Sequence, residues 1–203
     1  YGLHTLEQQI SLELLLWSHV PTAIIGILFA LFLYHHTRTL SSLYLLFTAI
    51  AFGIWSYLSL VSWSGDGKEI MFAWSILDVF SGAFTIFTYW FLYAFVKGKD
   101  LPFWQKIVSL LFLVPILIYT FLSRNIDTYY NPEALALEVN SVLFYLQYTQ
   151  YIFLFLLFIF MMREYRKAQN INQKKKVLLG GVGTILFLST FALVFLVTNL
   201  LLY

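Results

Sequence analysis

One acidic residue, Asp78, lies inside a long apolar stretch of the sequence, where a charged group has most scope for chemistry. It comes about eight residues into a predicted helix, or roughly 12 Å along the axis at 1.5 Å per residue. An ionised carboxylate at such a depth in a membrane is costly, and these groups usually face a bundle interior or a cavity. Asp78 is therefore the first candidate for contact with a ligand.

Helical spacing places other polar residues on the face of Asp78, because residues three, four or seven positions apart lie on one side of a helix. On the same helix these are Trp74, Ser81, Gly82 and Thr85. The candidate ligand-binding residues are Asp78, Trp74, Trp55, Gln147, Tyr148, Tyr151, His19 and Asn199. They fall mainly in the outer half of the predicted bundle. This placement predicts a pocket there for a small or lipophilic ligand. The alternative is structural: Asp78 is protonated, or hydrogen-bonded to Gln147, Tyr148 or His19, and holds helices together.

Catalytic and cofactor motifs do not stand out in the chain. There is no phosphate-binding glycine loop, no HExxH and no Ser/His/Asp arrangement, and cysteine is absent. His35 and His36 are adjacent in a predicted loop rather than four residues apart on a helix, which is a poor metal arrangement. No lysine lies deep in a span, which argues against a retinal Schiff base. We therefore expect no enzyme activity, no metal and no cofactor in these residues.

The composition sets the class of protein that must position these side chains. Of the 203 residues, 61% are hydrophobic and 11% are charged, whereas soluble domains carry about 25% charged residues. This apolar excess is too large for one buried core and indicates an integral membrane protein. We predict a single all-α domain over residues 1–203, a polytopic transmembrane bundle whose partner is the lipid bilayer. The net charge of +2 gives no indication of nucleic acid, and no nucleic-acid partner is expected.

Six apolar stretches are each near the ~20 residues that cross a bilayer core. The predicted spans are 17–34, 43–63, 70–96, 103–122, 142–162 and 177–202. Residues 1–16 are interpreted as an interfacial helix or an outward extension of the first span. Pro115 predicts a kink in the fourth span. Gly180 and Thr184 form a small-xxx-small pair, which favours close helix packing over a phosphate cradle.

The orientation follows from the basic stretch Arg163–Lys176, which carries six basic residues and one acid, or +5. Loops rich in Lys and Arg stay on the cytoplasmic side. Counted from this stretch, the predicted inner loops hold ten basic residues and the outer loops two. The prediction is a multi-pass protein of the cell membrane with its amino terminus outside the cytoplasm. A seventh span after Tyr203 is expected, and it would return the chain to the cytoplasm.

Four stretches resemble the N-terminal seven-helix membrane region of bacterial and archaeal sensor histidine kinases. They are RTLSSLYLLFTAIAFGIWSYLSL from Arg38, FTYWFLYAFVKGK at the end of the third span, REYRKAQNINQKKKVLLGG from Arg163, and Thr198–Asn199–Leu200. In that family a proline usually follows the last motif, whereas this chain has Leu201. The resemblance implies a two-component sensor or receptor region that signals to a cytoplasmic output domain, commonly as a homodimer. It transfers no binding residue.

Three functions remain open at the level of the sequence. The first is a signal-transduction region that binds a ligand or senses membrane state in the outer half of the bundle. The second is a small transporter or channel with Asp78, Gln147 and Tyr148 along its path. A path needs polar groups through the full thickness, and the inner halves of most spans are apolar. The third is a membrane subunit of a larger complex, whose exposed aromatic residues contact partners or lipids.

Overall fold

Seven helices make up most of the chain in the computed structural model, which describes the backbone of residues 2–64, 67–122, 130–131, 136–137 and 141–202. Side chains are described over 19–62, 76–118 and 148–189 and at residues 69, 72 and 73. The elements in chain order are α1 (Gly2–Thr37), α2 (Leu40–Ser64), α3 (Gly67–Lys97), α4 (Phe103–Leu111), α5 (Val114–Leu122), β1 (Tyr130–Asn131), β2 (Ala136–Leu137), α6 (Ser141–Lys167) and α7 (Ile171–Leu202). The two short strands pair antiparallel.

Three stretches of the described helices are long and apolar enough to cross a membrane: His19–Thr37, Leu40–Ser62 and Ile76–Lys97. The outward surfaces support this, because Ile25 on α1 and Phe155 on α6 are large apolar side chains that face away from the bundle. A helical bundle with three helices long and apolar enough to cross a membrane is therefore confirmed. The count of six spans and the orientation stay predictions. Residues 2–16 belong to the same helix as the first span, in agreement with the predicted extension.

The ends of the helices follow from local chemistry. Arg38 and Gly98 have positive φ angles of 50° and 66°, and each donates its N–H to the carbonyl four residues earlier. A left-handed residue just past the last turn is a common way to end a helix. Thr39 then caps α2, since its hydroxyl accepts from the N–H of Ser42 at 3.3 Å. Asn170 caps α7 in the same way, accepting from the N–H of Gln173 at 2.8 Å.

The basic stretch differs from its predicted form as a loop. α6 continues to Lys167 and α7 begins at Ile171, so only residues 168–170 separate the two helices. The predicted loop at His35 and His36 is likewise the last turn of α1. The polarity of these residues suggested a loop. They are nevertheless compatible with a helix, and the helices extend beyond the apolar part of each predicted span.

The break before Pro115 agrees with the predicted kink. α4 ends at Leu111 and α5 begins at Val114, with a tight turn in which Leu113 donates to the carbonyl of Leu110 at 2.9 Å. Proline has no N–H, and its ring collides with the carbonyl four residues earlier, here that of Leu111. The helix therefore divides one turn before the proline.

α3 is the central helix and contacts α2, α4, α5, α6 and α7. Its fully buried Phe84 packs edge-on against Trp55 of α2 and Phe187 of α7. On another side of α3, Trp90 packs against Tyr44 of α2. Aromatic pairs of this kind add to the packing of a bundle interior. The central position of α3 means that any group it carries can affect most of the other helices.

Candidate functional site

A buried polar contact joins α3 and α6. The amide Nε2 of Gln150 donates to the hydroxyl of Ser81 at 2.9 Å, and the two side chains are 6% and 1% exposed. Thr85, one turn further along α3, is also buried and donates its hydroxyl to the backbone carbonyl of Ser81 at 2.9 Å. The predicted inward positions of Ser81 and Thr85 are therefore confirmed. Gln150 was not predicted.

Of the site residues predicted on α6, Tyr148 does not face the bundle interior. Tyr148 is 64% exposed and lies on the outer surface, whereas Thr149 and Gln150 are buried. The buried line continues through Phe153 and Leu157 at spacings of three and four residues, which fixes the inner face. Tyr148 is two residues from Gln150, about 200° around a helix of 3.6 residues per turn, so it points the other way. Tyr151 is partly buried at the edge of this face.

Sequence reasoning missed Gln150 because the part of α6 that follows it, from Ile152 to Met162, is apolar on every side. The residues that flank the buried line include exposed Phe155, Leu156 and Phe158, so the hydrophobic pattern has no contrast from which to read a face. The spacing of Gln150 from Phe153 and Leu157 was the one available signal. The prediction included Tyr148 instead, which the structure places on the outer surface.

Asp78 is partly buried on α3, one turn before Ser81 and on the same side of the helix. This agrees with its predicted inward face. Its role in binding a ligand stays a prediction. The side chains of Trp74, Gln147 and Asn199, which were predicted to share the site, lie outside the described residues.

Two other predicted site residues lie together on the first two helices. The rings of His19 on α1 and Trp55 on α2 have centroids 5.7 Å apart. Trp55 is buried and also contacts Phe52 and Phe84, so it belongs to the aromatic core as much as to a site. His19 is only partly buried. The predicted role of both residues in ligand binding stays a prediction.

The spaces beside Gln150 are narrow. One cavity of about 10 Å³ lies between α3, α5 and α6, and it is lined by Gly82, Thr85, Ile86, Phe112, Leu113, Ile116, Thr149, Gln150 and Phe153. A space of this size holds about one water molecule. The helices would therefore have to separate at Gln150 before a ligand of several heavy atoms could enter this space.

A second polar cluster ties the linker after α3 to α2 and α4. Asp100 accepts from the hydroxyl of Tyr44 at 2.6 Å and from the ammonium of Lys106 at 2.7 Å. Lys106 also donates to the Tyr44 hydroxyl at 2.7 Å, which closes a triangle. Partial burial opposes ionisation of Asp100, but hydrogen bonds from Lys106, Tyr44 and the next backbone N–H outweigh it and lower its pKa. The three residues hold the linker in one conformation.

The basic ends of three helices are also joined. Lys97 at the end of α3 forms an ion pair with Glu164 of α6 at 2.5 Å. The ammonium of Lys176 on α7 lies 5.1 Å from the ring centroid of Phe95 on α3, within the range of a cation–π contact. Gly180 allows this approach, because a Cβ there would come within 2.8 Å of the Phe95 ring. The predicted role of Gly180 in close packing is therefore confirmed.

The fold and these contacts define a class: an α-helical bundle with three helices long and apolar enough to cross a membrane, and with polar side chains buried between α3 and α6. No protein-family model, curated protein or solved structure matches the chain. The likeness to sensor regions of histidine kinases therefore stands on the sequence motifs alone.

Proposed function

We propose that the chain is a membrane sensor region that responds to a small or lipophilic ligand, or to the state of the bilayer. The response begins in the half of the bundle that contains Asp78 and Gln150. It ends at the basic ends of α3, α6 and α7, where a cytoplasmic output domain would receive it. In this proposal six spans cross the membrane, with α4 and α5 together as the fourth, and the amino terminus is outside.

The observation that carries the proposal is that one helix pair has two separate polar contacts, one in the interior of both helices and one at their basic ends. Ser81 on α3 meets Gln150 of α6, and Lys97 on α3 meets Glu164 of α6. The two contacts are about sixteen residues apart on α3, or roughly 24 Å along its axis. A helix transmits a rotation or shift along its length, so a ligand that separates α3 from α6 near Gln150 changes the geometry at Glu164. Two packings of one helix pair are sufficient for a switch.

Transport is less well supported. Between Ser81 and Lys97, the polar Thr88 of α3 donates to the carbonyl of Phe84 at 2.6 Å, so its hydroxyl is used within its own helix. Its neighbours along the buried face include Phe84 and Leu92, both fully buried and apolar. A path for an ion or polar solute needs polar groups at successive depths. In the described part of α3, the buried polar side chains lie mainly in the half that contains Ser81 and Thr85. A role as a subunit of a larger complex is supported only by the exposed aromatic side chains.

The proposal is tested by measuring whether the two ends of the α3–α6 pair are coupled. The chain has no cysteine, so spin labels can be placed at Lys99→Cys and Gln169→Cys, both exposed positions near the basic end. Distances between the labels are then measured by pulsed electron resonance on the whole chain in lipid nanodiscs. The substitutions Asp78→Asn and Gln150→Leu are made in the other half of the bundle, away from the labels. Tyr57→Phe, an exposed change in α2, serves as the control.

We expect Gln150→Leu and Asp78→Asn to shift the distance distribution or the ratio of two populations, and Tyr57→Phe to leave it unchanged. The same shift is expected when the acyl chains of the nanodisc lipid are shortened, if bilayer thickness is the stimulus. Superimposable distributions for all variants and lipids would mean that the two ends are independent, and the sensor proposal would then be abandoned.

A further inference from the structure

A surface groove of about 480 Å³ lies on the outward side of α6, at the point where the helix changes from apolar to basic. Its walls are three apolar and three basic side chains: Phe158, Ile159, Met162, Arg163, Arg166 and Lys167. All six are exposed. The groove therefore has an apolar half and a cationic half, which meet within one helical turn.

The charge of the cationic half is not neutralised by the acid nearest in sequence. Glu164 points to the opposite side of α6, is largely buried, and pairs with Lys97 of α3. Neither of the two ion pairs in the described part of the chain involves Arg163, Arg166 or Lys167. Three cations therefore face outward next to apolar side chains, with no ion-pair partner among the described residues.

We propose that this groove binds one anionic phospholipid, with the headgroup phosphate at Arg163, Arg166 and Lys167. An acyl chain then lies along Phe158, Ile159 and Met162. This proposal shares with the proposed function the requirement that α6 crosses the membrane. It does not require that the chain is a sensor.

One feature favours a phosphate group as the bound anion, and a second favours a phospholipid over free phosphate. A guanidinium binds a phosphate through two parallel hydrogen bonds, and the groove has two arginines one turn apart. A free phosphate would make no apolar contact with Phe158, Ile159 and Met162. A phospholipid carries an acyl chain next to its phosphate, and this chain can contact them. Basic pockets beside transmembrane helices are suited to anionic headgroups for this reason.

The basic residues at the start of α7 provide a matched comparison. Lys174 lies 5.7 Å from the ring centroid of Tyr165, and Lys176 lies 5.1 Å from that of Phe95. These ammonium groups are directed to aromatic rings of the bundle rather than to an apolar groove. Removing three charges there changes the total charge as much as removing the three charges of the groove, but it leaves the groove intact.

The first experiment measures lipid selectivity of the whole chain in phosphatidylcholine vesicles by electron resonance. Spin-labelled phosphatidylglycerol is compared with spin-labelled phosphatidylcholine. We expect phosphatidylglycerol to be preferred by about five-fold or more, because one surface cation contributes a factor of that order. The combined change Arg163→Gln, Arg166→Gln and Lys167→Gln should abolish most of the preference. The combined change Lys174→Gln, Lys175→Gln and Lys176→Gln should retain it. Inorganic phosphate at millimolar concentration should not displace the lipid.

The second experiment leaves the charges in place and so does not depend on how the triple variants fold. A bimane fluorophore is attached at Ile159→Cys in the groove or, as control, at Leu179→Cys on the exposed side of α7. Each position is about one turn inside the nearest basic residue. Phosphatidylglycerol with a nitroxide on its acyl chain should quench Ile159→Cys several-fold more than the same phosphatidylcholine does, with little difference at Leu179→Cys.

Three results would overturn the proposal. They are equal quenching by the two lipids at Ile159→Cys, an equal loss of selectivity in the two triple variants, and displacement of the lipid by free phosphate. The second would show a diffuse positive surface, and the third a site for soluble anions. Failure of the bimane at Ile159→Cys to contact any lipid would instead contradict the insertion of α6, on which the proposed function also depends.

Discussion

Gln150 on α6 donates a 2.9 Å hydrogen bond to the hydroxyl of Ser81 on α3, and both side chains are buried between the helices. In lipid, apolar side chains give little preference for one helix face over another, since lipid tails are as apolar as leucine. A buried hydrogen bond between helices therefore does more to set their rotation than it would in a soluble bundle. Gln150 fixes which side of an almost uniformly apolar α6 faces α3.

Replacing Gln150 by leucine should destabilise the α3–α6 contact. Interhelical hydrogen bonds in membranes contribute about 0.6 kcal/mol on average and up to about 1.7 kcal/mol. We expect a loss in that range for Gln150→Leu, measured as the free energy of unfolding in mixed micelles with increasing dodecyl sulfate. A double-mutant cycle with Ser81→Ala measures the coupling energy between Gln150 and Ser81. We expect it to be about 0.6 kcal/mol or more.

Tyr148→Phe is the control for this cycle. It removes a hydroxyl from the same helix, but the side chain is on the exposed surface. We expect a change of less than about 0.5 kcal/mol, which is usual for surface substitutions. A larger effect of Tyr148→Phe than of Gln150→Leu would show that Tyr148 and not Gln150 faces the bundle interior, as the sequence alone predicted for Tyr148.

The packing around the glycines of α7 predicts how their substitution by alanine changes stability. A Cβ on Gly180 would meet the ring of Phe95 at 2.8 Å, and one on Gly181 would overlap the side chain of Met161. A Cβ on Gly183 meets nothing within 4 Å. Gly180→Ala and Gly181→Ala should therefore destabilise the bundle by about 1–3 kcal/mol through overpacking.

Gly183→Ala is the matched control, and it should be neutral or stabilising by up to about 1 kcal/mol through helix propensity. The readout is again the unfolding free energy in mixed micelles. Of the two overpacked sites, Gly181→Ala should be the milder, because Met161 is flexible and the ring of Phe95 is not. Equal behaviour of all three variants would contradict the packing of α7 against α3 and α6.

The sequence could predict the elements of this fold better than their faces. Apolar length located the helices, and Pro115 located the break between α4 and α5, because both signals act within one segment. The face of α6 depends on which neighbour it meets, and a helix that is apolar all round carries little record of that choice. The cluster of Asp100, Tyr44 and Lys106 joins residues up to 62 positions apart, so no local pattern could indicate it.

This cluster predicts a dependence on pH. The pKa of Asp100 in the folded chain is below its ordinary value of 3.8. The unfolded state therefore binds more protons in this range, and the contribution of the ionised carboxylate to stability is fully present above about pH 4. It is lost as the pH falls through the folded pKa. Asp100→Asn should accordingly lower the thermal midpoint at pH 7 and have a smaller effect at pH 3.

The size of this effect is limited by solvent. Asp100 is partly exposed, and ion pairs at such sites contribute about 0–1 kcal/mol. Lys99→Gln is the control, because it removes an exposed neighbouring charge that takes part in neither ion pair of the described residues. A pH-independent difference between Asp100→Asn and the parent chain would mean that Asp100 acts through its shape and not through its charge.

The proposed orientation can be tested directly, because the absence of cysteine allows single cysteines to be introduced without a background. Glu69, Lys99 and Lys175 are exposed and lie at different helix ends. In intact cells, a membrane-impermeant maleimide should label Glu69→Cys and spare Lys99→Cys and Lys175→Cys. Permeabilised cells should label all three. Since basic segments are retained in the cytoplasm, labelling of Lys175→Cys from outside would reverse the orientation, and the buried polar half of the bundle would then face the cytoplasm.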